Sequence, residues 1–260
     1  MQRGKIIGAI VLAAAVGLIV SQRVGEREEA AGGTGGGGNL AGQPSGQTVP
    51  GADPARAERP AAADGRVYTI VADQSEVYWR IYRAGLLARL GHNHVISISE
   101  LEGSVTLGGD PAAARWSLSF PVATLVVDDP AIRARHGEDF EAVPSENDKQ
   151  GTRENMLSDR LLDGVMYPEI RLEGTGLRGS LADAELPVSI RMLGRTVAAA
   201  FPAAITLEGD TLTVAGEYRL THEDLGLSPF TALGGQMAVG DEIDFTYRIR
   251  AVAGGRDGGE

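Results

Sequence analysis

His92 and His94 form the residue pair best suited to metal chemistry in this sequence. They are separated by one residue, and alternate residues of an extended segment point to the same side. Two imidazoles so placed could bind one metal ion or a haem iron, with a third ligand from elsewhere. The remaining histidines are His136 and His222, and the two acidic residues after His222 could orient its ring or ligate a metal. Histidines that only cap a turn or face solvent would give the same pattern.

A second candidate group consists of arginines beside the apolar segments. A guanidinium suits the pyrophosphate or carboxylate head of a lipid, because it can donate two parallel hydrogen bonds. Solvated surface arginines would fit the pattern as well. The candidates for a head-group contact are Arg83 and Arg153.

Motifs of catalysis are missing from the sequence. It contains neither a Gly-x-Ser-x-Gly nucleophile elbow nor a phosphate-binding glycine loop. The acidic pairs Asp128-Asp129 and Asp241-Glu242 fall at predicted turns, where carboxylates serve as caps and aid solubility. We therefore predict a protein that is not an enzyme.

Composition excludes several other classes. The chain has no cysteine, which removes disulfides, thiolate nucleophiles and cysteine metal ligands. Its net charge of -11 argues against nucleic acid as a partner, since phosphate contacts require clustered lysine and arginine.

The first 64 residues differ in composition from the rest. Residues 1–24 hold Arg3, Lys5 and an apolar run, which predicts a membrane anchor or a cleaved signal segment with its N-terminus in the cytoplasm. Residues 25–64 are rich in Gly, Ala and Pro, which is typical of a disordered tether. Residues 254–260 are predicted to form a disordered tail. The folded part would then be exported, at the outer side of a bacterial inner membrane.

Residues 65–253 alternate between apolar and polar side chains. Trp79 and Ile81 share one face with Val77, and the same period recurs in later segments between Gly, Asp and Asn turn signals. This pattern predicts an all-β fold, a single antiparallel lipocalin-like barrel of about eight strands.

One segment breaks the alternation. Met156, Leu157 and Leu161 recur at helical spacing, and Pro168 requires the helix to end before Tyr167. We predict a helix at 153–163 over one end of the barrel, with a second short helix near 130–137. The polar span 138–152 is predicted to be a mobile loop.

The same segment carries a resemblance to the YceI family of bacterial lipid-binding proteins. The matching positions are Arg153, Leu157, Leu161, Leu162, Asp163, Tyr167, Pro168 and Ile170. The stretches 186–201 and 212–230 are similar to later strands of that family, so the resemblance covers roughly residues 66–253. It implies a barrel that holds an isoprenoid chain inside.

The resemblance also implies which residues line the cavity and what the protein does. The expected lining residues are Trp79, Ile81, Trp116, Leu118, Phe120, Leu157, Leu161, Ile170, Leu172, Phe230, Phe245 and Tyr247. The expected function is non-catalytic sequestration or transport of an isoprenoid or isoprenoid quinone. The alternatives are a metal- or haem-dependent redox or stress protein that uses His92 and His94, and an interaction module with a filled core. A homodimer is compatible with each of these functions.

Overall fold

The computed structural model describes residues 65–254 of the chain. The predicted anchor at 1–24 and tether at 25–64 lie outside these residues, as does the predicted tail beyond Gly254. Within the described part, no helix is both long and apolar enough to cross a membrane.

The described residues form thirteen strands and two α-helices. The strands are β1 Gly65–Ile70, β2 Glu76–Ala84, β3 His94–Ile98, β4 Glu102–Gly108, β5 Arg115–Pro121, β6 Leu125–Val127, β7 Glu169–Thr175, β8 Arg178–Ser180, β9 Asp183–Met192, β10 Arg195–Glu208, β11 Thr211–Thr221, β12 Thr231–Ala232 and β13 Met237–Ala253. The helices are α1 Pro130–Arg133 and α2 Glu146–Leu157.

Eight of these strands close into an antiparallel barrel. Their order is β1-β4-β5-β7-β9-β10-β11-β13, and β13 pairs back to β1 through Tyr68 opposite Ala253 and Ile70 opposite Ala251. The long strand β13 pairs with β2 over its N-terminal part, and β3 and β6 continue from β2. The predicted fold class, an eight-stranded antiparallel barrel, is confirmed.

The two faces of β2 explain why the barrel has a second layer. Trp79 lies opposite Phe245 and Ile81 opposite Ile243, so the odd positions of β2 face the barrel interior. The even positions face outward, and Tyr78 is nevertheless buried there. It packs in a small outer core with Tyr82, Val95, Ile132 and Phe140.

Helix α1 supplies part of this outer core. The side chain of Asp129 caps it by accepting hydrogen bonds from the backbone N–H groups of Ala131 and Ile132, and Pro130 occupies the first turn, where its missing N–H costs nothing. The prediction of a short helix near 130–137 is correct for its first turn. Ile132 on this turn is buried against the outer face of the sheet.

Helix α2 begins and ends earlier than the sequence pattern indicated. The predicted loop at 138–152 is wrong from residue 146 onward, and the predicted helix at 153–163 ends at Leu157. Ser145 and Asp148 form a capping box, in which each side chain accepts a hydrogen bond from the other's backbone N–H. This cap starts a polar helix whose only strongly apolar residues are its last two, Met156 and Leu157. The apolar residues at helical spacing, on which the predicted helix at 153–163 was based, therefore lie in the last turn of α2 and in the turns after it.

One end of the barrel is closed by its own side chains. The turns between β4 and β5, β7 and β8, and β10 and β11 meet at this end, together with the start of β1 and the end of β13. Buried residues fill it: Leu107, Ala114, Leu177, Ala184, Leu212, Ala251 and Ala253. We call it the closed end. Helix α2 and the turns that follow it lie at the opposite end, which we call the mouth.

Candidate functional site

The inner wall of the barrel is a continuous apolar surface. Cross-strand partners on this face are apolar in successive pairs: Leu118 lies opposite Leu172, which lies opposite Ile190, which in turn lies opposite Val197. Because side chains alternate strictly along a strand, this register turns one apolar set inward all around the barrel.

Burial along the wall is uneven. Near the closed end, inward side chains such as Leu212 are completely buried. Several inward side chains of the wall are only half-buried: Trp79, Ile81, Val105, Trp116, Leu118, Ile170, Leu172, Val197, Phe201, Phe245 and Ile249. Others on the same face, such as Ile190 and Tyr247, are buried. The burial of the wall therefore varies from residue to residue.

Glycines on the wall make room for the aromatic residues. A Cβ atom at Gly174 would lie 2.2 Å from the indole ring of Trp116, and one at Gly216 would lie 2.5 Å from the hydroxyl of Tyr247. That hydroxyl reaches across Gly216 and donates a hydrogen bond to the carbonyl of Pro202. Burial raises the pKa of Tyr247, so its hydroxyl stays protonated at physiological pH.

The structure brings together most of the predicted lining residues. Eleven of the twelve belong to the single apolar cluster that fills and lines the barrel, and two of them, Leu157 and Leu161, reach it from α2 and the following turn. Phe230 lies elsewhere, with the guanidinium of Arg160 4.9 Å from the centre of its ring. Contact of these residues with a ligand remains a prediction.

Met156 and Leu162 cover the mouth as buried members of the same cluster. Backbone hydrogen bonds fold the turn back onto the end of α2, from Leu162 N–H to the Met156 carbonyl at 3.1 Å and from Gly164 N–H to the Leu157 carbonyl at 2.9 Å. Helix α2 and this turn therefore act as one cover over the mouth.

Both arginines predicted to contact a lipid head are engaged by the backbone. The guanidinium of Arg83 donates to the carbonyl of Gly91 at 3.1 Å, and that of Arg153 donates to the carbonyl of Ala123. These contacts hold the β2–β3 loop and dock α2 onto the segment before β6. The head-group role assigned to them remains a prediction.

His94 is a polar side chain on the inner face near the mouth. It lies opposite Ile81, and its ring Nδ1 is 2.7 Å from Oδ2 of Asp128. The Asp128 carboxylate also accepts hydrogen bonds from the backbone N–H of Val95 at 3.0 Å and from the guanidinium of Arg133 at 2.7 Å. This network is almost completely withdrawn from solvent.

The ionisation of Asp128 fixes the tautomer of His94. Burial acts to raise the pKa of Asp128, but the hydrogen bond from His94 and the contacts to Val95 and Arg133 outweigh it and hold the pKa below its usual range. An ionised carboxylate only accepts hydrogen bonds, so Nδ1 of His94 carries a proton. In the neutral ring, Nε2 is then an acceptor, and it lies 3.3 Å from the hydroxyl of Thr152 on α2.

His92 does not share the environment of His94. Its ring centre is 6.2 Å from that of His94, and burial lowers the pKa of His92. Both nitrogens of His94 already have partners within the protein, so a metal ion would have to displace one of them. Across residues 65–254, no group of three or more His, Asp or Glu residues is arranged to hold a metal. The paired-histidine metal site remains a prediction.

The sequence suggested that the two acidic residues after His222 orient its ring. The structure shows a different partner. His222 is buried, and its Nδ1 lies 2.9 Å from the backbone carbonyl of Asp241. The carboxylate of Asp224 instead accepts hydrogen bonds from the backbone and hydroxyl of Thr221. His222 thus ties the end of β11 to β13.

Asp128 is the residue that sequence reasoning misjudged. The pair Asp128-Asp129 was expected to consist of two turn carboxylates, which is correct for the helix cap Asp129 and wrong for Asp128. Asp128 adopts a positive φ of 57°, and this sharp turn directs its side chain inward, where it is completely buried. The sequence around Asp128 offers no signal that would separate the two neighbours.

Comparisons with known proteins agree with this architecture. The chain matches the model of the YceI-like domain over residues 68–251. The crystal structure of Burkholderia cenocepacia BcnA superposes with a TM-score of 0.52 at 11% identity, covering 70% of this chain and 99% of that protein. A Campylobacter jejuni YceI protein superposes with a TM-score of 0.42 at 10% identity, covering 62% and 85%. No curated protein matches the chain.

The family match covers nearly the whole described part of the chain, from within β1 to within β13. The structure of BcnA, with a TM-score of 0.52, shares the fold. The predicted resemblance is confirmed, and the chain belongs to the YceI-like domain family.

Proposed function

We propose that this protein binds a long apolar lipid inside its barrel and sequesters or transports it in the bacterial cell envelope, without catalysis. The observation that carries this proposal is the apolar inner wall, which is sealed at the closed end and includes half-buried side chains along its length. Membership of a family of binding proteins supports it. The finer proposal for the cargo is an isoprenoid or an isoprenoid quinone.

The proposed driving force is the removal of the lipid tail from water. Burial of apolar surface contributes about 25 cal/mol per Å² before the entropy cost of association is subtracted. A chain of regular apolar shape suits a wall built from Leu118, Leu172 and the two tryptophans, because dispersion contacts require only close fit.

The polar end of the lipid would lie near the mouth. Nε2 of His94 and the hydroxyl of Thr152 lie on that side, 3.3 Å apart, and Asp128 holds the imidazole in place. Because these two groups are each other's partners, a hydroxyl head would bind Nε2 by replacing Thr152 as its donor. Arg83 and Arg153 each donate to one backbone carbonyl, and a guanidinium has further N–H donors for a head group.

Native mass spectrometry of the full chain, purified from bacterial envelopes without chelator, tests the proposal. We expect an adduct of lipid mass that organic extraction removes and that fragmentation identifies. A chain that stays bare, even after excess isoprenoid is added, would favour an interaction module with a filled core. A metal-sized adduct lost on replacing His92 and His94 would instead favour the redox alternative.

Paired leucine variants assign the binding to the barrel interior. Leu118→Arg places a charge on the half-buried inner wall, whereas Leu207→Arg places the same charge at a site 45% exposed. We expect the first variant to lose the lipid and the second to retain it. Leu118→Trp fills the same space without a charge and is expected to lose the lipid as well. Circular dichroism confirms that each variant is folded before retention is compared.

A further inference from the structure

Large apolar side chains are exposed around the mouth. We call the set Leu86, Leu90, Val165, Met166 and Leu233 the apolar rim; their exposed fractions are 87%, 57%, 91%, 69% and 39%. All five lie on loops at the mouth, between β2 and β3, between α2 and β7, and between β12 and β13. The exposed apolar side chains Val67, Leu207 and Val252 at the other end lie on strands rather than on loops. Grouped apolar exposure of this kind marks an interaction surface.

The loops of the apolar rim are held together by specific contacts. The backbone N–H of Leu87 donates to the carbonyl of Gln236 at 2.8 Å, which joins the β2–β3 loop to the loop before β13. The ring of Phe230, just before β12, lies 4.9 Å from the guanidinium of Arg160. This contact joins the segment before β12 to the turn after α2. These two contacts link the loops that carry the rim.

The charges near the rim differ from those of the chain as a whole. The chain carries a net charge of -11, yet residues 83–91 (RAGLLARLG) contain two arginines, three leucines and no acidic residue. Arg160 adds a third cation on the turn after α2, next to the exposed Asp159. Arginines beside exposed leucines suit the interface of a bilayer with anionic lipid, where apolar side chains enter the acyl region and guanidinium groups meet phosphates.

We propose that the apolar rim docks the mouth of the barrel onto a bilayer surface that contains anionic lipid. Docked in this way, the mouth and its cover face the acyl chains, and displacement of the cover would let an apolar cargo pass between bilayer and barrel without crossing water. This inference extends the proposed function by naming the surface from which the cargo comes. It has its own readout, because docking is measured at the rim and cargo retention by mass.

The absence of cysteine from the chain allows the rim to be probed by single labels. Leu86→Cys and Val165→Cys in the full chain are each labelled with an environment-sensitive fluorophore. Leu207→Cys, exposed near the closed end, carries the same label as the matched control. The probes are phosphatidylcholine vesicles with and without phosphatidylglycerol, and the same vesicles with brominated acyl chains that quench fluorescence on contact.

We expect blue-shifted emission and quenching at positions 86 and 165 with vesicles that contain phosphatidylglycerol, and neither change at position 207. In the 165-labelled chain, Leu86→Glu with Leu90→Glu is expected to weaken this response about tenfold, since two apolar contacts are lost and the new carboxylates repel anionic lipid. The double variant should remain folded, because both side chains face solvent.

Equal responses at the rim and at position 207, or no response at the rim while the protein sediments with vesicles, would overturn the docking proposal. No association with vesicles at all would also overturn it. A chain that retains lipid but shows no rim response would refute docking alone. A chain that shows the rim response but never carries lipid would support docking and refute the proposed function.

Discussion

The carboxylate of Asp128 and the imidazole of His94 form a buried pair, with Oδ2 2.7 Å from Nδ1. Asp128 directly follows β6 and His94 begins β3, so the pair joins two strands that extend from the barrel. Arg133 on α1 completes the pair to a triad, and Thr152 on α2 contacts the far side of the ring. One carboxylate thereby connects both helices to the sheet.

Loss of the Asp128 charge should strongly destabilise the protein. Asp128→Asn leaves the guanidinium of Arg133 buried without its counter-ion, and breaking a buried pair from one side typically costs about 3–5 kcal/mol. The free energy of unfolding in urea at pH 7 measures this. Asp129→Asn is the matched control, because that residue only caps α1 and asparagine caps a helix about as well as aspartate, so little stability should be lost. Similar losses in both variants would contradict the triad's importance.

Asp128 should also control stability in acid. Its pKa is lower in the folded than in the unfolded state, so its stabilising contribution is present above the unfolded value, near pH 4, and is lost as the pH falls through the folded value. We expect the free energy of unfolding of the native protein to fall across this range, and that of Asp128→Asn to change less. Chemical unfolding at a series of pH values from 7 to 3 gives both curves. Parallel curves would refute the assignment.

His136 should oppose stability at mildly acidic pH. Burial, together with Arg80 and Arg135, lowers the pKa of His136, and its Nε2 finds no hydrogen-bond partner among the described residues. The unfolded chain therefore takes up a proton near pH 6.5 that the folded chain resists, so stability falls as the pH drops through this value. His136→Phe, which can keep the ring contacts to Tyr78 and Phe140, should be more stable than the native protein at pH 5 by a larger margin than at pH 8. The difference in melting temperature between the two proteins, measured at pH 5 and at pH 8, tests this expectation. Equal differences at the two pH values would contradict it.

Gly174 should be intolerant of even one methyl group. A Cβ there would lie 2.2 Å from the Trp116 ring and 2.3 Å from the carbonyl of Pro187, so Gly174→Ala must displace the indole or the backbone of β9. We expect a loss of about 1–3 kcal/mol in the free energy of unfolding, as for other overpacked cores. Gly109→Ala is the control, since no atom lies within 4 Å of its Cβ position. The expectation fails if both variants unfold at the same denaturant concentration.

Tryptophan fluorescence should report ligand entry directly. The chain has two tryptophans, Trp79 and Trp116, and both face the barrel interior. A brominated apolar chain inside the barrel would contact both rings, so it should quench nearly all of the emission. Trp79→Phe and Trp116→Phe each leave one reporter and should each be quenched. Quenching that is absent in both variants would mean that the probe binds outside the barrel.

Alternation alone was enough to place most of the wall. Trp79, Ile81, Leu118 and Leu172 could be assigned to one face because side chains alternate along strands, whatever the neighbouring strand is. The strand order could not be derived in this way. The pairing of β13 with both β1 and β2, and the position of His94 opposite Ile81, depend on contacts distant in sequence.

The helix and the polar network show where pattern reasoning failed. Helix α2 depends on the cap formed by Ser145 and Asp148 and on side-chain pairs such as Lys149 with Glu146, whereas apolar residues at helical spacing occur only in its last turn. Asp128 was misjudged because its burial results from a left-handed backbone turn and from partners 34 residues away and 5 residues away. Neither the backbone turn nor these partners can be recognised from the composition of the sequence around Asp128.

The start of β1 and the end of β13 lie together at the closed end, since Tyr68 pairs with Ala253. Within residues 65–254, the mouth is therefore formed by α2 and by loops between strands, away from the start of β1 and the end of β13. A surface, a fluorescent protein or an affinity handle coupled close to the end of β13 would attach at the barrel end opposite the mouth. The barrel can thus be immobilised through one end while cargo exchange is followed at the other, an arrangement suited to single-molecule and biosensor formats.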